Sequence, residues 1–564
     1  FRDSGFCFST AEIPAFPSRH RLRVPMTRMM VSRQRCCLLP WAGNGWSGEL
    51  GAQLARIGIG MTALALLLAP GCGIPQLRQP DANPPIPGGF PAQGSRPEEP
   101  EVPVPENSAR LGYDDFFHDP VLSGLIGTAL ANNLELRVLN EEVQIAKNEV
   151  MARQGTYLPF VTIGGGGGLD KPSYYTRDGA IDRELQILPG RPIPDPIWNT
   201  ALGLGFVWQL DIWRQLRNAR DAAMRRYVAA REKRNYQVTK TVAEIADLYY
   251  RLMALDKRIE NLDMTIRLQQ KSLEFSNAVK DAGRGTELPV QRFLAEVNRN
   301  QSQKLIVRQD IIEAENRINF LLNRYPQPIE RSSAGFFDIT ISAISAGLPS
   351  ELLDNRPDIR QAAREVEAAG LDIKVARARF YPTLMINAAA GYQAFNPKYL
   401  LNTPEAIAAN VAGDLVAPLI NKKAIKAEYM SSNARQLQAI YNYQKVILNA
   451  YTEVVNKLAM VDNYSRSIEI KKKQIAALET SVDVASKLFQ NARAEYIDVL
   501  FAQRDLMDAR LVLIETKNQQ LSGIVAAYQS LGGGDALADE PLEVPGRHRP
   551  AYMAPRSPEP VPLP

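Results

Sequence analysis

Two apolar repeats of seven residues constrain this chain more than anything else in it. Val238, Ile245, Leu252, Ile259, Ile266 and Leu273 stand seven apart, and so do Ile447, Val454, Val461, Ile468, Ile475, Val482 and Phe489. The two sets are offset by 209 residues, Val238 mapping onto Ile447. A straight helix of ~3.6 residues per turn would let such a stripe drift around its surface, so the pattern predicts long, supercoiled helices. The helix around the first seam runs without proline from about Ile212 to Asp281. At ~1.5 Å per residue that is roughly 105 Å, far beyond an ordinary globular helix. A plain dimeric coiled-coil rod is the simplest alternative, and the strand-like interruptions below argue against it.

Charge excludes one class of partner. The formal net charge of +5 sits wholly in residues 1–71, which hold eight arginines, no lysine and the acids Asp3, Glu12 and Glu49; the remainder carries 58 basic and 58 acidic side chains. A general nucleic-acid surface is not indicated. All four cysteines (Cys7, Cys36, Cys37 and Cys72) lie at or before position 72, and the three histidines are scattered. The body of the chain therefore has no disulfide framework, no thiolate chemistry and no metal-ligand spacing. No nucleophile–base pairing or phosphate-binding loop points to an enzyme, and no cofactor is expected.

Residues 1–71 read as an upstream extension and signal peptide, with Met26, Met29 and Met30 as candidate starts. Arg33, Arg35 and Arg56 precede an apolar run, Ile57 to Ala69, too short to span a bilayer as a normal helix. It ends in Leu68–Cys72 (LAPGC), which resembles a bacterial lipobox; that resemblance implies cleavage before Cys72 and lipidation of its side chain. A plain export signal is the alternative. One acyl chain adds only marginal membrane affinity, so the lipid would act as a tether.

Residues 72–114 form a Pro-rich leader. Two similar units follow, at 115–330 and 356–534, joined by a connector at 331–355 with possible short strands; a Pro-rich tail occupies 535–564. In the first unit a helix from about Val121 to Tyr157 is stopped by Pro159, strands are expected at about 160–169 and 198–210, and the long helix follows at about 212–281. The glycine run Gly164 to Gly168 suits a strand packed closely against neighbours or a curved barrel wall. The second unit repeats the order: a helix ending before Pro382, strands at about 383–393 and 406–419, and a long helix at about 421–491. With an offset of 223, Arg137 matches Arg360, Glu142 matches Glu365 and Pro159 matches Pro382; with 209, Glu244 matches Glu453 and Val290 matches Val499. Arg225 with Arg226, and Lys471 to Lys473, read as solvated helix faces.

Four strands are too few to close a barrel. Open strand edges in lipid would leave backbone groups unpaired at several kcal/mol each, so several chains must share one barrel if these strands enter a membrane. The long helices must then project out of the bilayer. Here the chain resembles the TolC-like outer-membrane efflux factors, in the lipoprotein (NodT/OprM-type) branch that works with resistance-nodulation-division pumps. The residues that carry this are Leu348–Ile359 (LPSELLDNRPDI) with Ala376–Pro382 (ARARFYP), supported by Leu210–Trp213 with Arg217–Ala222, and by Tyr496–Leu500 with Ala502–Arg504. The resemblance spans about Asp115 to Leu531. It implies an α plus membrane-β fold: a homotrimer whose twelve-stranded barrel in the outer membrane continues into a helical barrel in the periplasm. It also implies the function of an exit duct in a tripartite efflux pump, with a periplasmic adaptor and an inner-membrane pump as partners.

In that family the tunnel tapers at the turns between long and returning helices. By resemblance, Ile497 takes an apolar gating position, Asp498 contributes to an acidic ring on the threefold axis, and Arg504 helps to hold the gate closed. The turn residues Gly283, Arg284, Gly285, Thr286, Ala492 and Arg493 are expected to contact the adaptor. Phe501 departs from the pattern where relatives often place an acid, and Ala492 where they place glycine. The residues themselves also permit a simpler reading, with Asp498 as a first-turn acid favoured by the helix dipole and Arg504 with Asp505 as an exposed pair. The rival functions are the exit duct of a protein-secretion system and a periplasmic coiled-coil scaffold.

Overall fold

The computed structural model describes residues 74–81, 87, 90, 107–339, 341, 344–418, 422–491 and 493–535. The chain divides into units Phe1–Ala69 and Pro70–Pro564, and every described residue belongs to the second. The first half builds α1 (Tyr113–Phe117), α2 (Pro120–Asn132), α3 (Leu134–Tyr157), β1 (Phe160–Asp170), α4 (Arg177–Glu184), a small hairpin β2 (Gln186–Leu188) and β3 (Arg191–Pro192), β4 (Ile197–Leu210), α5 (Gln215–Asp281) and α6 (Glu287–Leu321). After the connector come α7 (Leu352–Asn355), α8 (Pro357–Ala378), β5 (Thr383–Ala394), β6 (Ile407–Val416), α9 (Lys423–Gln490) and α10 (Tyr496–Leu531).

Side-chain caps move two of the expected boundaries. The helix expected from Val121 to Tyr157 is two helices, because Asn133 accepts from the N–H groups of Glu135 and Leu136 while its own amide donates to the carbonyl of Leu321 at 2.9 Å. That starts α3 afresh. The long helix begins at Gln215 rather than Ile212 because Asp211 is nearly buried and must find donors. Its carboxylate accepts from the N–H of Leu216 at 3.0 Å, the N–H of Arg217 at 2.9 Å and Arg217 Nε at 3.1 Å. Arg214 is held left-handed, at φ 58°, to bring those donors round.

Both seams are interior, as their period demands. Val238, Ile245 and Leu252 join Phe116, Ile318, Leu521 and Tyr528 in the main core, while Ile468, Ile475 and Val482 pack on Ala502, Leu506, Ala509 and Leu513 of α10. Helix α5 packs against α3, α6, α8 and α10; α9 packs against α8 and α10. Arg225 and Arg226 are not simply solvated, since they pair with Glu367 and Asp372 of α8 and so tie the two halves together. In the connector the described residues form 3-10 turns at Phe336–Asp338 and Pro349–Glu351 instead of the expected short strands. The loop between β1 and β4, read from sequence as loop material, also carries α4 and the small hairpin.

Candidate functional site

The four longer strands form one antiparallel sheet in the order β1–β4–β5–β6. Side chains alternate along each strand and paired residues share a face, so the register sorts every strand position onto one side or the other. One face carries Val161, Ile163, Leu169, Trp198, Leu202, Leu204 and Phe206, continuing into Leu384, Ile386, Tyr392, Ile407, Val411 and Leu415. The other carries Thr162, alternate glycines of β1, Asn199, Gln209, Asn387, Gln393, Asn410 and Asp414. On this polar face Asn387 Nδ2 donates to Asp414 Oδ2 at 2.6 Å, and Gln393 Nε2 to Asn199 Oδ1 at 3.1 Å.

Strands of 10–14 residues, mostly apolar on one side and on the other mixing small and polar residues with Phe160, Ile197, Val207, Met385 and Val416 at the strand ends, have the dimensions and patterning of a barrel wall between lipid and water. A water-soluble scaffold would leave this broad apolar face, with Ile163 and Val411 about four-fifths exposed, without a solvent it suits. Along the glycine run of β1 the crowding is slight: a Cβ at Gly164, Gly166 or Gly168 would meet open space, and one at Gly165 would stand 3.3 Å from Leu202 Cδ1, the end of a side chain. Tight contact is found instead where the halves join. Gly203 lies opposite Gly391, and a Cβ on Gly391 would sit 2.3 Å from the carbonyl oxygen of Leu202. No described helix is long and apolar enough to cross a membrane.

The second feature is the pair of helical tips, roughly 100 Å along α5 and α9 from the sheet by helix rise. Near both ends, Phe275 of α5 meets Phe489 of α9 edge to face at 5.3 Å. At the first tip Gly283 is left-handed (φ 68°), and the N–H groups of Gly283 and Arg284 close onto the carbonyls of Lys280 and Val279. Gly285, Thr286 and Arg284 are exposed, and Thr286 precedes α6 without a side-chain cap. Lys280 Nζ lies 3.1 Å from Glu287, which also accepts from Gln291 Nε2. The Gln291 hydrogen bond and then the Lys280 ammonium hold the Glu287 carboxyl below its ordinary range, and Glu287 raises Lys280 in return. Nothing in the sequence pattern singles out this clasp, because it forms across the turn.

At the second tip the N–H of Arg493 closes onto the carbonyl of Leu488 at 2.8 Å, and Asn491 Nδ2 donates to the carbonyl of Lys487. Ala492 lies outside the described residues, as does Cys72. Ile497 is half-buried in the first turn of α10. Asp498 is exposed, and its Oδ2 accepts from the N–H of Glu495 at 3.1 Å, closing a capping box. Arg504 is exposed two turns further on, beside exposed Asp505. Asp498 therefore caps its helix and still presents a charge to solvent.

The family model for outer membrane efflux proteins matches residues 125–324 and 348–533. The toluene efflux pump outer membrane protein TtgI of Pseudomonas putida is 25% identical over 478 residues, covering 83% of this chain and 97% of TtgI. The cation efflux system protein CusC of Escherichia coli is 25% identical over 472 residues, covering 84% of this chain and 98% of CusC. Among solved structures, the outer-membrane channel OprN shares the fold with a TM-score of 0.71 at 23% identity, over 82% of this chain and 99% of OprN. The open-state MtrE outer membrane channel of Neisseria gonorrhoeae shares it with a TM-score of 0.68 at 22% identity, over 82% of this chain and 98% of MtrE.

Proposed function

We propose how this molecule works from the premise that the chain belongs to the outer membrane efflux protein family and is an outer-membrane channel of an efflux pump, not an enzyme. Three copies close into a duct. The observation that carries this is the mismatch in burial between equivalent positions of the two halves. Ile145 of α3 is 68% exposed, whereas its counterpart Ala368 of α8 is 0% exposed; Leu305 of α6 is 63% exposed against 6% for Ile514 of α10; Ile470 of α9 is 68% exposed against 5% for Asn261 of α5. Within one chain the first half's long helix α5 covers α8 and α10. The second half's long helix α9 packs against α8 and α10 of its own half but does not cover α3 and α6 of the first half as α5 covers α8 and α10.

Repeating the junction between halves from one copy to the next supplies what is missing. Helix α9 then packs on α3 and α6 of a neighbour, and β6 pairs with β1 of that neighbour as β4 pairs with β5. With three copies, the twelve strands leave no open edge in lipid. The apolar sheet face meets lipid, the polar face lines the lumen, and the helices extend the duct into the periplasm. Substrates pass without being transformed, their selection resting with an inner-membrane resistance-nodulation-division transporter joined to the duct through a periplasmic adaptor. A lipid on Cys72 tethers the leader to the membrane.

Imaging and mass analysis of the detergent-extracted protein test the closure. A threefold particle about 100 Å or more in length is expected from the helix rise, and Leu305→Glu with Ile312→Glu is expected to leave monomers. A monomeric wild type would overturn the reading.

The gate is assigned to the second tip. Three Asp498 carboxylates around the axis repel one another and favour cations, with Ile497 narrowing the passage and Arg504 bracing the closed form. Gly283, Arg284, Gly285, Thr286, Ala492 and Arg493 are placed at the adaptor contact. Asp498→Asn keeps an oxygen for the Glu495 cap and removes the charge. Its single-channel cation-to-anion permeability ratio is expected to fall severalfold while thermal stability holds. An unchanged ratio would reduce Asp498 to a helix cap.

A further inference from the structure

A basic, aromatic-edged cavity of about 500 Å³ lies just below the sheet, between the start of α5 and the end of α8. Asn218 and Asp221 line it together with three cations, Arg214, Lys374 and Arg377. All three cations are exposed, and among the described residues none of them has an ion-pair or side-chain hydrogen-bond partner. Asp221 is already engaged with Arg220 at 2.7 Å. The upper edge is a stack of Trp213 on Tyr381, ring centroids 4.7 Å apart, with Trp213 Nε1 donating to the carbonyl of Pro382 at 2.7 Å. Trp213 follows β4 by three residues and Pro382 immediately precedes β5, so this pair marks the rim of the apolar face.

Two further observations place the cavity on the outer side of the helical wall, where lipid is. Asn218 and Asp221 occupy one side of α5, which Arg214 precedes as its N-cap residue, and Ala219, Ala223 and Arg226 the opposite side. The latter three line a larger groove that touches α3, α5, α8 and α9 together. A groove shared by four neighbouring helices is the inside of their curve, which leaves Arg214, Lys374 and Arg377 outside it. In depth, Lys374 and Arg377 precede Thr383 by nine and six residues. At ~1.5 Å per helical residue both fall within roughly 15 Å of the sheet's edge, close beneath a headgroup layer of about 5–7 Å on each side of the hydrocarbon. The non-glycine residue Arg214 is moreover held left-handed at this spot.

We propose that Arg214, Lys374 and Arg377, under the Trp213–Tyr381 stack, form a binding site for the phosphate of a phospholipid headgroup in the periplasmic leaflet of the outer membrane. This rests on the channel reading only for the direction of the membrane. The aromatic pair lies at the boundary between acyl chains and headgroups, and the three cations take the phosphate, fixing the height of the sheet in the bilayer and its junction with the helices.

Native mass spectrometry of the full detergent-extracted assembly, titrated with phosphatidylglycerol or with diacylglycerol of the same chains, tests it. Wild type is expected to retain phosphatidylglycerol over diacylglycerol. Combining Arg214→Gln, Lys374→Gln and Arg377→Gln should weaken phosphatidylglycerol about tenfold or more and leave diacylglycerol unchanged. Millimolar inorganic phosphate should not displace the lipid; displacement would mean a free-anion site and overturn the assignment. Equal lipid affinity in wild type and triple variant would also overturn it. Should the triple variant fail to assemble, Lys374→Gln alone must weaken the lipid and Lys374→Arg must restore it. A wild type that conducts in planar bilayers yet shows no phosphate preference sinks this site alone, whereas one that neither assembles nor conducts sinks the channel.

Discussion

Gly391→Val is expected to abolish assembly of the channel. Gly391 faces Gly203 across the β4–β5 pair, where the two halves of the chain meet in the sheet. A Cβ on Gly391 would stand 2.3 Å from the oxygen of Leu202 and 2.4 Å from the Cα of Gly203. Both obstacles are backbone, so no side-chain rotation relieves them. Overpacking a core commonly costs about 1–3 kcal/mol, and a clash with fixed backbone belongs at or above the top of that range. The damage also spreads: strands that cannot pair present open edges to lipid, which raises the cost at every unpaired group. Loss of the detergent-resistant oligomer on gels and of conductance in planar bilayers is the expected result. Gly413→Val, where a Cβ meets open space on the lipid-facing side of β6, serves as the control and should assemble. If Gly391→Val assembles as readily as that control, the β4–β5 seam is not the tight junction described.

The second large effect is expected at Arg356, the arginine of the LPSELLDNRPDI motif. Its side chain is 3% exposed and binds Asp358 through two nitrogens at 3.0 and 2.8 Å, Glu453 of α9 at 3.0 Å and the carbonyl of Ser530 in α10 at 2.8 Å. One guanidinium thus joins the start of α8 to both helices of the second hairpin. Removing it leaves a largely buried Asp358 and the Ser530 carbonyl without their donor. Breaking a buried pair from one side costs about 3–5 kcal/mol, mostly as the desolvated charge left behind. Glu453 is 41% exposed and adds little, since water replaces its partner. Arg356→Ala should lower the thermal midpoint measured by circular dichroism. Arg356→Lys should recover only part of the loss, because an ammonium cannot reproduce the planar fork. A shift within that expected for an exposed Arg→Ala change, roughly 0.5 kcal/mol, would contradict this role.

Arg356 stands in the motif LPSELLDNRPDI, and what it holds together is tertiary. Glu453 and Ser530 are 97 and 174 residues away in the chain. The same distinction runs through the rest of the molecule. The seams through Val238 and Ile447, the prolines Pro159 and Pro382, and the alternation in β4 and β5 are periodic or local signals, legible because neighbours in sequence are neighbours on one face of a helix or strand. The duplication is legible for the same reason.

Asn133 and Asp211 shifted helix starts that the apolar pattern could not place, because the pattern records which face is buried and not which oxygen finds a donor. At the second tip, Ile497 and Asp498 lie in the first turn of α10 and Arg504 about two turns on, an order the chain itself gives, but the capping role of Asp498 depends on the backbone geometry at Glu495. The clasp of Lys280 with Glu287 and the basic cavity under Trp213 and Tyr381 depend on chain reversal and on helices brought together from separate halves. From the sequence by itself came the length of the long helices, the four long strands and their repetition, since these follow from periodicities of seven and two. Only the tertiary structure decided which sheet face is apolar across all four strands, where two glycines must meet, and which surfaces of α3, α6 and α9 are left uncovered, since register and packing are relations between residues that the chain holds far apart.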